Sequence, residues 1–377
     1  MAGQITPGVY AVATDITSSL GMGTSAHWQS VANGVQGFHA YENNGQTYYA
    51  ARLSNQQWKD IQSAITTDTL TRFEKLCLFS ANKAIAQLPS SFNPDETVLV
   101  LSTTKGNIDR LNEDNDERTL LHRSAQIIAE QLGIAVSPVV VSHACVSGSV
   151  ALLYAQRLLT SGRHKHAIVI GCDLFTPFVL NGFLSFQAIA GAPCRPFDAD
   201  RTGINLGEAA ATILLSTGQH TEPLAQLMGG ATSNDANHIS GPSRTGEELA
   251  MAISRAMDDA KLQSPDINMI SAHGTATAYN DEMEAKAIHL SGMSEVPLHS
   301  IKSYTGHTLG AAGVLESAMI IEAVRQQQLI PSANYEKHGV SVPVNITTAM
   351  QPATINYVLK TASGFGGSNA AIIWAKA

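Results

Sequence analysis

The chain has 377 residues, 44% hydrophobic and only 14% charged, so it can bury a large core and extensive subunit interfaces. A formal net charge of -8 without basic clusters excludes a nucleic-acid footprint and gives no reason to expect an anionic membrane partner. The low charge content predicts an oligomer. Four scattered cysteines without a CxxC pair predict reduced thiols in a cytoplasmic protein, and the absence of Lys and Arg before Arg52 argues against a signal peptide.

Predicted strands and helices alternate from the N-terminus onward, which favours an α/β fold. Strands are expected at 9–13, 97–102, 139–141 and 167–171, and helices at 24–31, 70–88, 121–132 and after residue 146. Residues 109–118 are expected to form a solvated loop. The uncharged run 134–156 is long enough to raise the question of a membrane span, but Pro138 and His143 interrupt it, so it is interpreted as buried protein core.

An internal repeat indicates two copies of one α/β unit. GINLGEAAATILL at 203–215 and GFGGSNAAIIW at 364–374 are both glycine-rich turns followed by alanines and a buried strand. The segment 297–324 repeats the strand, small-residue turn and long helix found around Cys145. We therefore predict an N-terminal half at 1–220 and a C-terminal half at 221–377, related by a pseudo-twofold axis. Chance similarity is the alternative interpretation.

Cys145 falls where the valine-rich strand 139–141 passes into a helix. Free N–H groups and the positive end of the helix dipole favour a thiolate there and can hold an oxyanion, so we expect Cys145 to be the thiol alkylated fastest at neutral pH. The alternative is an inert core cysteine.

Two histidines lie in turns of the second half. His307 occupies the position that mirrors the Cys145 corner, with Lys302 five residues earlier, and His273 follows an apolar strand. For His273 the alternative is a structural role. The GFGGSN turn does not match a dinucleotide-binding motif, but its glycines offer backbone N–H groups as oxyanion donors. No metal site is predicted, because the histidines and cysteines lack ligand spacing.

Several short motifs are spread along nearly the whole chain. They are Trp28, STTKG at 102–106, ACVSGS at 144–149, RPFD at 195–198, the Gly207-Glu208 turn, HGTAT at 273–277 with Asp281 and Glu284, KSYTGHTLGAAG at 302–313 and GFGGSN at 364–369. Together they resemble the elongating β-ketoacyl-acyl-carrier-protein synthases of the thiolase-like superfamily. The resemblance implies two duplicated αβ halves in a layered α-β-α-β-α fold. It implies decarboxylative condensation of a malonyl unit with an acyl chain, in fatty acid or polyketide synthesis. The segment SHACVSGS is similar to ketosynthases of aryl-polyene and flexirubin pigment pathways.

The resemblance also implies roles for individual residues. Cys145 would be the nucleophile, His273 and His307 the decarboxylation and condensation pair, Lys302 and Glu284 their hydrogen-bonded support, and Phe365 a gate and oxyanion donor. Thr275, Thr277, Asp281 and Gly366 would bind substrate. No cofactor would be bound, because an acyl carrier protein brings the phosphopantetheine arm. The partner in the dimer would be an identical chain or a ketosynthase-like relative.

Some positions depart from the family pattern. Ser363 replaces the first phenylalanine of the usual Phe-Gly-Phe-Gly-Gly motif, which predicts a differently shaped gate. Tyr279 and Asn280 replace a proline-containing and a glycine position. His143 is interpreted as a structural residue that faces away from the sulfur. Two alternative functions stay open: a non-catalytic chain-length-factor subunit and a cysteine hydrolase, although the latter has no obvious use for two histidines and a lysine.

Overall fold

A computed structural model describes residues 7–43, 45–88, 93–111, 116–218, 222–237 and 241–377. The helices in these ranges are α1 (Thr24–Ala32), α2 (Asn55–Ala64), α3 (Arg72–Ile85), α4 (Leu121–Gln131), α5 (Ser147–Thr160), α6 (Pro177–Ser185), α7 (Glu247–Ala260), α8 (Ala278–Leu290), α9 (Lys302–Thr305) and α10 (Ala312–Gln326). The strands are β1 (Val9–Ser18), β2 (Gly21–Met22), β3 (His39–Asn43), β4 (Gln46–Ala51), β5 (Thr97–Ser102), β6 (Val139–Val141), β7 (His166–Asp173), β8 (Leu206–Gly207), β9 (Ala209–Ser216), β10 (Ala225–Asn234), β11 (Met269–Ser271), β12 (Pro297–His299), β13 (Gln328–Leu329), β14 (Asn345–Ile346), β15 (Gln351–Pro352), β16 (Tyr357–Gly364) and β17 (Ser368–Ala375).

One large mixed sheet runs through the molecule in the order β14-β12-β11-β16-β17-β10-β1-β9-β7-β5-β6. Five strands of each half correspond: β1, β5, β6, β7 and β9 in the first, and β10, β11, β12, β16 and β17 in the second. Numbered in chain order, these five lie in the order 3-2-4-5-1 in both halves, and β14 extends the sheet at the edge of the second. Parallel and antiparallel pairings also match between the two halves. This equivalence supports the duplication inferred from the glycine-rich turns, while the boundary at residue 220 stays a prediction.

Both faces of the sheet are hydrophobic and are covered by helices. The two halves of the sheet and the helices on either side of them form five layers. Helices α5 and α10 form the middle layer, where they pack on the inner faces of both halves. Helices α2, α3 and α4 cover the outer face of the first half, and α7 and α8 cover that of the second. The structure thereby confirms the predicted α-β-α-β-α layering. No helix within the described residues is long and apolar enough to cross a membrane.

The two middle helices approach each other so closely that only glycine fits at the crossing. A Cβ on Gly148 of α5 would lie 2.8 Å from the Cα of Gly313 in α10. A Cβ on Gly313 would lie 2.3 Å from the backbone nitrogen of Ser149. The crossing involves the first turns of both helices, so the chain segments that precede the two helices converge there.

The predicted elements agree with the structure, with one clear extension. Residues 97–102 and 139–141 form β5 and β6 as predicted, and α1, α3, α4, α5 and β7 lie at the predicted places. Strand β1 continues past residue 13 to Ser18, because its polar residues Asp15 and Thr17 are buried against the small residues of β9. The predicted loop at 109–118 is bordered by 3-10 turns, and its residues 112–115 lie outside the described residues.

Gly313→Ala is expected to destabilise the protein. The new methyl group must displace the backbone of α5, and overpacking of this kind costs roughly 1–3 kcal/mol. A thermal unfolding experiment should show a clearly lowered Tm. Gly182→Ala in α6 is the matched control, because a Cβ there meets nothing within 4 Å. An unchanged Tm for Gly313→Ala would contradict the close crossing.

Candidate active site

Cys145 lies in a sharp turn between β6 and α5. Its neighbour Ala144 has a left-handed backbone with φ 45°, which is strained for a residue with a side chain. Ser147 holds the turn, since its hydroxyl accepts a hydrogen bond from the His143 N–H at 2.7 Å and donates one to the Ala144 carbonyl at 2.6 Å. Only 9% of Cys145 is exposed, and it lines the main cavity. The turn thus presents a largely desolvated thiol to that cavity.

The hairpin between β16 and β17 brings Phe365 against this thiol. A Cβ on Gly364 would lie 3.0 Å from the Cys145 backbone nitrogen, so a side chain there would interfere with this approach. The backbone N–H of Phe365 is close enough to the Cys145 sulfur to lower the pKa of this thiol. The Phe365 ring packs against Phe183 of α6 and against Phe186, which directly follows α6, with centroid distances of 5.8 and 5.2 Å. A backbone donor and an aromatic cluster therefore border the thiol.

Ser363 and His143 stabilise the two ends of this hairpin. The Ser363 hydroxyl donates a hydrogen bond to Asn369 Oδ1 at 2.7 Å. His143 Nε2 lies 2.7 Å from the hydroxyl of Ser368. His143 is absent from the cavity lining, which agrees with the structural role predicted for it.

The second half supplies two histidines to the cavity. His273 follows β11, His307 follows α9, and their ring centroids lie 5.3 Å apart with the planes at 87°. Both side chains are buried. Among the residues that the structure describes, Nδ1 of His273 and both ring nitrogens of His307 have no hydrogen-bond partner. These nitrogens can therefore bind groups of a substrate.

Glu284 holds the turn that carries His273. One carboxylate oxygen accepts hydrogen bonds from the His273 N–H at 2.7 Å and the Thr361 hydroxyl at 2.6 Å. The other oxygen accepts from the Gly274 N–H at 2.8 Å. Glu284 is completely buried in α8. It supports the position of His273 through the backbone and binds the turn to strand β16.

Asp281 and Gly366, the other two residues expected to bind substrate, lie beside the cavity rather than in its lining. Asp281 is completely buried and accepts hydrogen bonds from the backbone N–H groups of Phe197 at 2.7 Å and Thr275 at 3.0 Å. Neither Asp281 nor Gly366 belongs to the cavity lining. Asp281 stabilises the Thr275 turn, and Gly366 adopts the left-handed φ of 82° that the hairpin needs, so direct contact of these two residues with substrate stays a prediction.

The first half helps to hold His307 in place. The His307 N–H donates to the Asn205 carbonyl at 2.8 Å, and the Gly207 N–H donates to the His307 carbonyl at 3.0 Å. A Cβ on Gly207 would lie 2.2 Å from the Thr305 carbonyl oxygen, so the turn accepts only glycine. The first half thus helps to position His307, as the second half brings Phe365 against Cys145.

Lys302 is paired with Glu316, a residue that the sequence analysis did not select. The Lys302 ammonium group forms a short ion pair with Glu316 Oε1, and both side chains are buried. Lys360 of β16 lies 2.9 Å from Glu316 Oε2. Lys302 and Glu284, the two residues expected to support the histidine pair, therefore lie in separate contacts: Lys302 pairs with Glu316, and Glu284 holds the His273 turn.

Burial dominates the titration of the site. It raises the pKa of the Cys145 thiol from 9.0 to about 11, although Lys302, Lys105 and the Phe365 N–H act in the opposite direction. Burial also lowers the pKa of both His273 and His307 well below 6.5, assisted by the charge of Lys302. At neutral pH the site therefore holds a protonated thiol and two neutral imidazoles. Desolvation thus opposes the thiolate that the helix start favours, and the faster alkylation of Cys145 stays a prediction.

These residues surround a cavity of ≈ 460 Å³. Of the residues singled out from the sequence, its lining includes Cys145, His273, Thr275, Thr277, Tyr279, Asn280, His307, Ser363 and Phe365. The hydroxyls of Thr275 and Thr277 lie 2.9 Å apart. The sequence analysis missed Phe183 and Phe186, which also line the cavity. It missed Glu316 as well, although a lone acid between apolar and small residues of a helix is a recognisable signal.

Comparison with known proteins places the chain among ketosynthases. Models of the beta-ketoacyl synthase N-terminal and C-terminal domains match residues 8–221 and 224–336. A 3-oxoacyl-[acyl-carrier-protein] synthase 2 of Mycobacterium leprae is 34% identical over 245 residues, which cover 61% of this chain and 58% of the relative. The tetracenomycin polyketide synthase ketoacyl synthase alpha subunit of Streptomyces glaucescens is 27% identical, with 94% of each chain covered.

The fold leads to the same group. One chain of the solved complex between a ketosynthase and its chain length factor from Xenorhabdus doucetiae matches with a TM-score of 0.85. The identity is 25%, and the match covers 100% of both chains. The resemblance stated from the sequence motifs is confirmed, and the chain belongs to the beta-ketoacyl synthase family.

Proposed function

We propose that the protein is an elongating β-ketoacyl-acyl-carrier-protein synthase with Cys145 as its acyl-holding nucleophile. One observation carries this proposal: Cys145 of the first half and His273 and His307 of the second line the same cavity. A thiol can hold an acyl chain covalently, and two imidazoles can stabilise an enolate. A nucleophile that holds the acyl chain, together with two imidazoles that stabilise the enolate, gives a role to all three side chains.

The first step transfers an acyl group to the enzyme. The Cys145 sulfur attacks the thioester carbonyl of an acylated carrier protein, and the carrier thiol leaves with the proton that the Cys145 thiol loses. The backbone N–H groups of Cys145 and Phe365 stabilise the tetrahedral oxyanion. A neutral imidazole is suited to accept the thiol proton transiently, which a thiol with a raised pKa requires.

The second step forms the carbon–carbon bond. Malonyl carrier protein loses carbon dioxide, and N–H groups of His273 and His307 stabilise the oxygen of the resulting enolate. The enolate carbon attacks the Cys145 thioester, and the released Cys145 sulfur regains a proton. The product is a 3-oxoacyl carrier protein that is two carbons longer than the starting acyl chain.

The acyl carrier protein supplies the phosphopantetheine arm, and this chain binds no cofactor of its own. Thr275 and Thr277 place two hydroxyls in the cavity where the polar arm would pass. Tyr279 is 80% exposed at the same cavity and offers an aromatic contact to the incoming carrier. Phe365, with Phe183 and Phe186, forms the gate between the arm and the acyl chain.

A second ketosynthase-like chain completes the assembly. Strand β6 ends the large sheet, and its three valines are only half-buried although they lie beside the Cys145 turn. An apolar sheet edge of this kind favours pairing with another strand. The partner is an identical chain or a chain length factor, as in the Xenorhabdus complex. We place the reaction in the cytoplasm, where the four free cysteines stay reduced.

The alternative is a non-catalytic subunit that shapes the product tunnel of a partner. The relative in the Xenorhabdus complex works beside a chain length factor. Retention of Cys145, His273, His307 and Lys302 favours the active enzyme, because a tunnel-shaping subunit needs none of them.

Incubation with an acylated carrier protein is expected to increase the intact mass of the protein by one acyl group, because Cys145 accepts it. Addition of malonyl carrier protein should then release a 3-oxoacyl carrier protein, detected by mass spectrometry. Cys145→Ala should abolish both signals, whereas Cys77→Ala, in the outer layer, should leave them unchanged.

The same experiment separates the alternatives. Absence of both acylation and condensation, with and without a co-expressed chain length factor, would overturn the active-enzyme proposal. Activity that appears only with a partner and survives Cys145→Ala would indicate a non-catalytic subunit. Free acyl acid without condensation product would indicate a hydrolase.

Alkylation of Cys145 by iodoacetamide is expected to be slow at pH 7 and to rise about tenfold per pH unit up to pH 9, because only the thiolate reacts. Peptide mass spectrometry measures the rate. Lys302→Met should slow it further, since Lys302 lowers the pKa of Cys145. Cys145 should still react faster than Cys194, which is also buried and whose pKa burial raises to about 12. A rate that levels off near pH 7 would contradict the raised pKa.

A further inference from the structure

Lys360 is a buried cation to which the reaction described above gives no role. It lies in β16, is completely buried, and is among the largest fully buried side chains of the described residues. Its ammonium group donates a hydrogen bond to the Thr361 carbonyl and lies 2.9 Å from Glu316 Oε2. A buried lysine is costly unless such partners compensate it, so its position calls for an explanation.

Glu316 is held from two sides by two lysines. Lys302 pairs with Oε1, and Lys360 lies against Oε2. Lys302 begins α9, the short helix that leads to His307. The carboxylate of Glu316 therefore joins the segment of His307 to strand β16, and Lys360 fixes the orientation in which Glu316 meets Lys302.

Strand β16 also supports His273, through Thr361, the residue that follows Lys360. The Thr361 hydroxyl donates to Glu284 Oε1 at 2.6 Å, and the same oxygen accepts the His273 N–H at 2.7 Å. Consecutive side chains of a strand point to opposite faces of the sheet. Lys360 and Thr361 thus connect β16 to one carboxylate on each face, and each carboxylate serves the segment of one histidine.

Several charged or titratable groups surround Lys360: Lys302 of α9, Glu316 of α10, Glu284 of α8, the His273 and His307 pair, and His299 of β12. His299 is in register with Ser271 of β11, which is in register with Lys360. Within the described part of the chain, neither ring nitrogen of His299 has a hydrogen-bond partner. The positive charge of Lys360 therefore acts in a polar region of the interior that is shielded from solvent.

We propose that Lys360 is a positioning residue for the condensation reaction, acting through Glu316 on Lys302 and providing a second buried positive charge behind the histidine pair. This inference rests on the proposed function. Lys360 touches neither the cavity nor the reacting atoms, so its effect is transmitted through Glu316 and through its charge. That charge acts in the same direction as Lys302, lowering the pKa of His273 and His307.

Lys360→Met tests the charge with nearly the same side-chain volume. Histidine-selective NMR titration of the full chain, with signals assigned by His273→Gln and His307→Asn, should show both midpoints raised by about one pH unit. Decarboxylation of malonyl carrier protein at pH 7 should fall roughly tenfold to a hundredfold, because Lys302 and His307 lose their fixed geometry. The acidic limb of the pH profile should move to higher pH.

Leu359→Met is the matched control, because it changes the adjacent buried residue of β16 on the other face without changing charge. It should leave the midpoints and the pH profile unchanged. A folded Lys360→Met protein with wild-type midpoints and wild-type rates would overturn the proposal. Raised midpoints in a chain that shows no condensation would support the charge effect of Lys360 and count against the proposed function alone.

A double variant keeps the proposal testable if Lys360→Met does not fold. Glu316→Gln combined with Lys360→Met removes one charge of each sign, so the buried region keeps its charge balance. If Lys360 acts through Glu316, the double variant should lose no more decarboxylation rate than Glu316→Gln alone. A double variant clearly slower than Glu316→Gln alone would show independent action and overturn the positioning role.

Discussion

The crossing of α5 and α10 at Gly148 and Gly313 is the constraint on which the site depends. Each helix follows the turn that carries a reactive residue, Cys145 in the first half and His307 in the second. Because the helices touch backbone to backbone in their first turns, these two turns lie side by side. Any side chain at the crossing would separate them. A duplicated fold thus builds one site from two equivalent corners, and two glycines set the distance between them.

The two histidines are supported by buried polar groups of the second half. Glu284 and Glu316 lie behind the two histidines, and each binds one element of the surrounding scaffold to a catalytic segment. The resulting environment is dry, which keeps the imidazoles neutral and the thiol protonated. Electrostatic donors are strong in such surroundings, because little water competes with them. The same burial raises the pKa of the thiol, so a neighbouring group must accept its proton when it reacts.

The fold could be predicted from the sequence further than the site could. Strands β5 and β6 are continuous runs of β-branched and apolar residues between polar ones, and this pattern marks their ends clearly. The end of β1 could not be read in this way, since Asp15 and Thr17 look like surface residues until β9 covers them. Local sequence therefore predicts where hydrophobic residues are buried, but it does not predict which polar residues are buried.

Within the site, the motifs identified the residues that line the cavity but not their partners. Cys145, His273 and His307 are adjacent to recognisable turns. The pairing of Lys302 with Glu316 depends on how α9 packs on α10, and the contact of Phe186 with Phe365 depends on where α6 lies. The effect of burial on the pKa of Cys145 could not be predicted for a related reason, because a helix start indicates a favourable dipole and says nothing about desolvation.

The hairpin that carries Phe365 has a consequence for how the family can diversify. Its base is pinned on both strands, by Ser363 with Asn369 and by His143 with Ser368, while Thr361 is bound to the support of His273. Substitutions in the aromatic cluster therefore need not move the residues that hold Cys145 and His273 in place. Phe183 and Phe186 contact the ring of Phe365 in this cluster, so substitutions there are expected to change the space beside that ring while the hydrogen bonds that hold the hairpin remain.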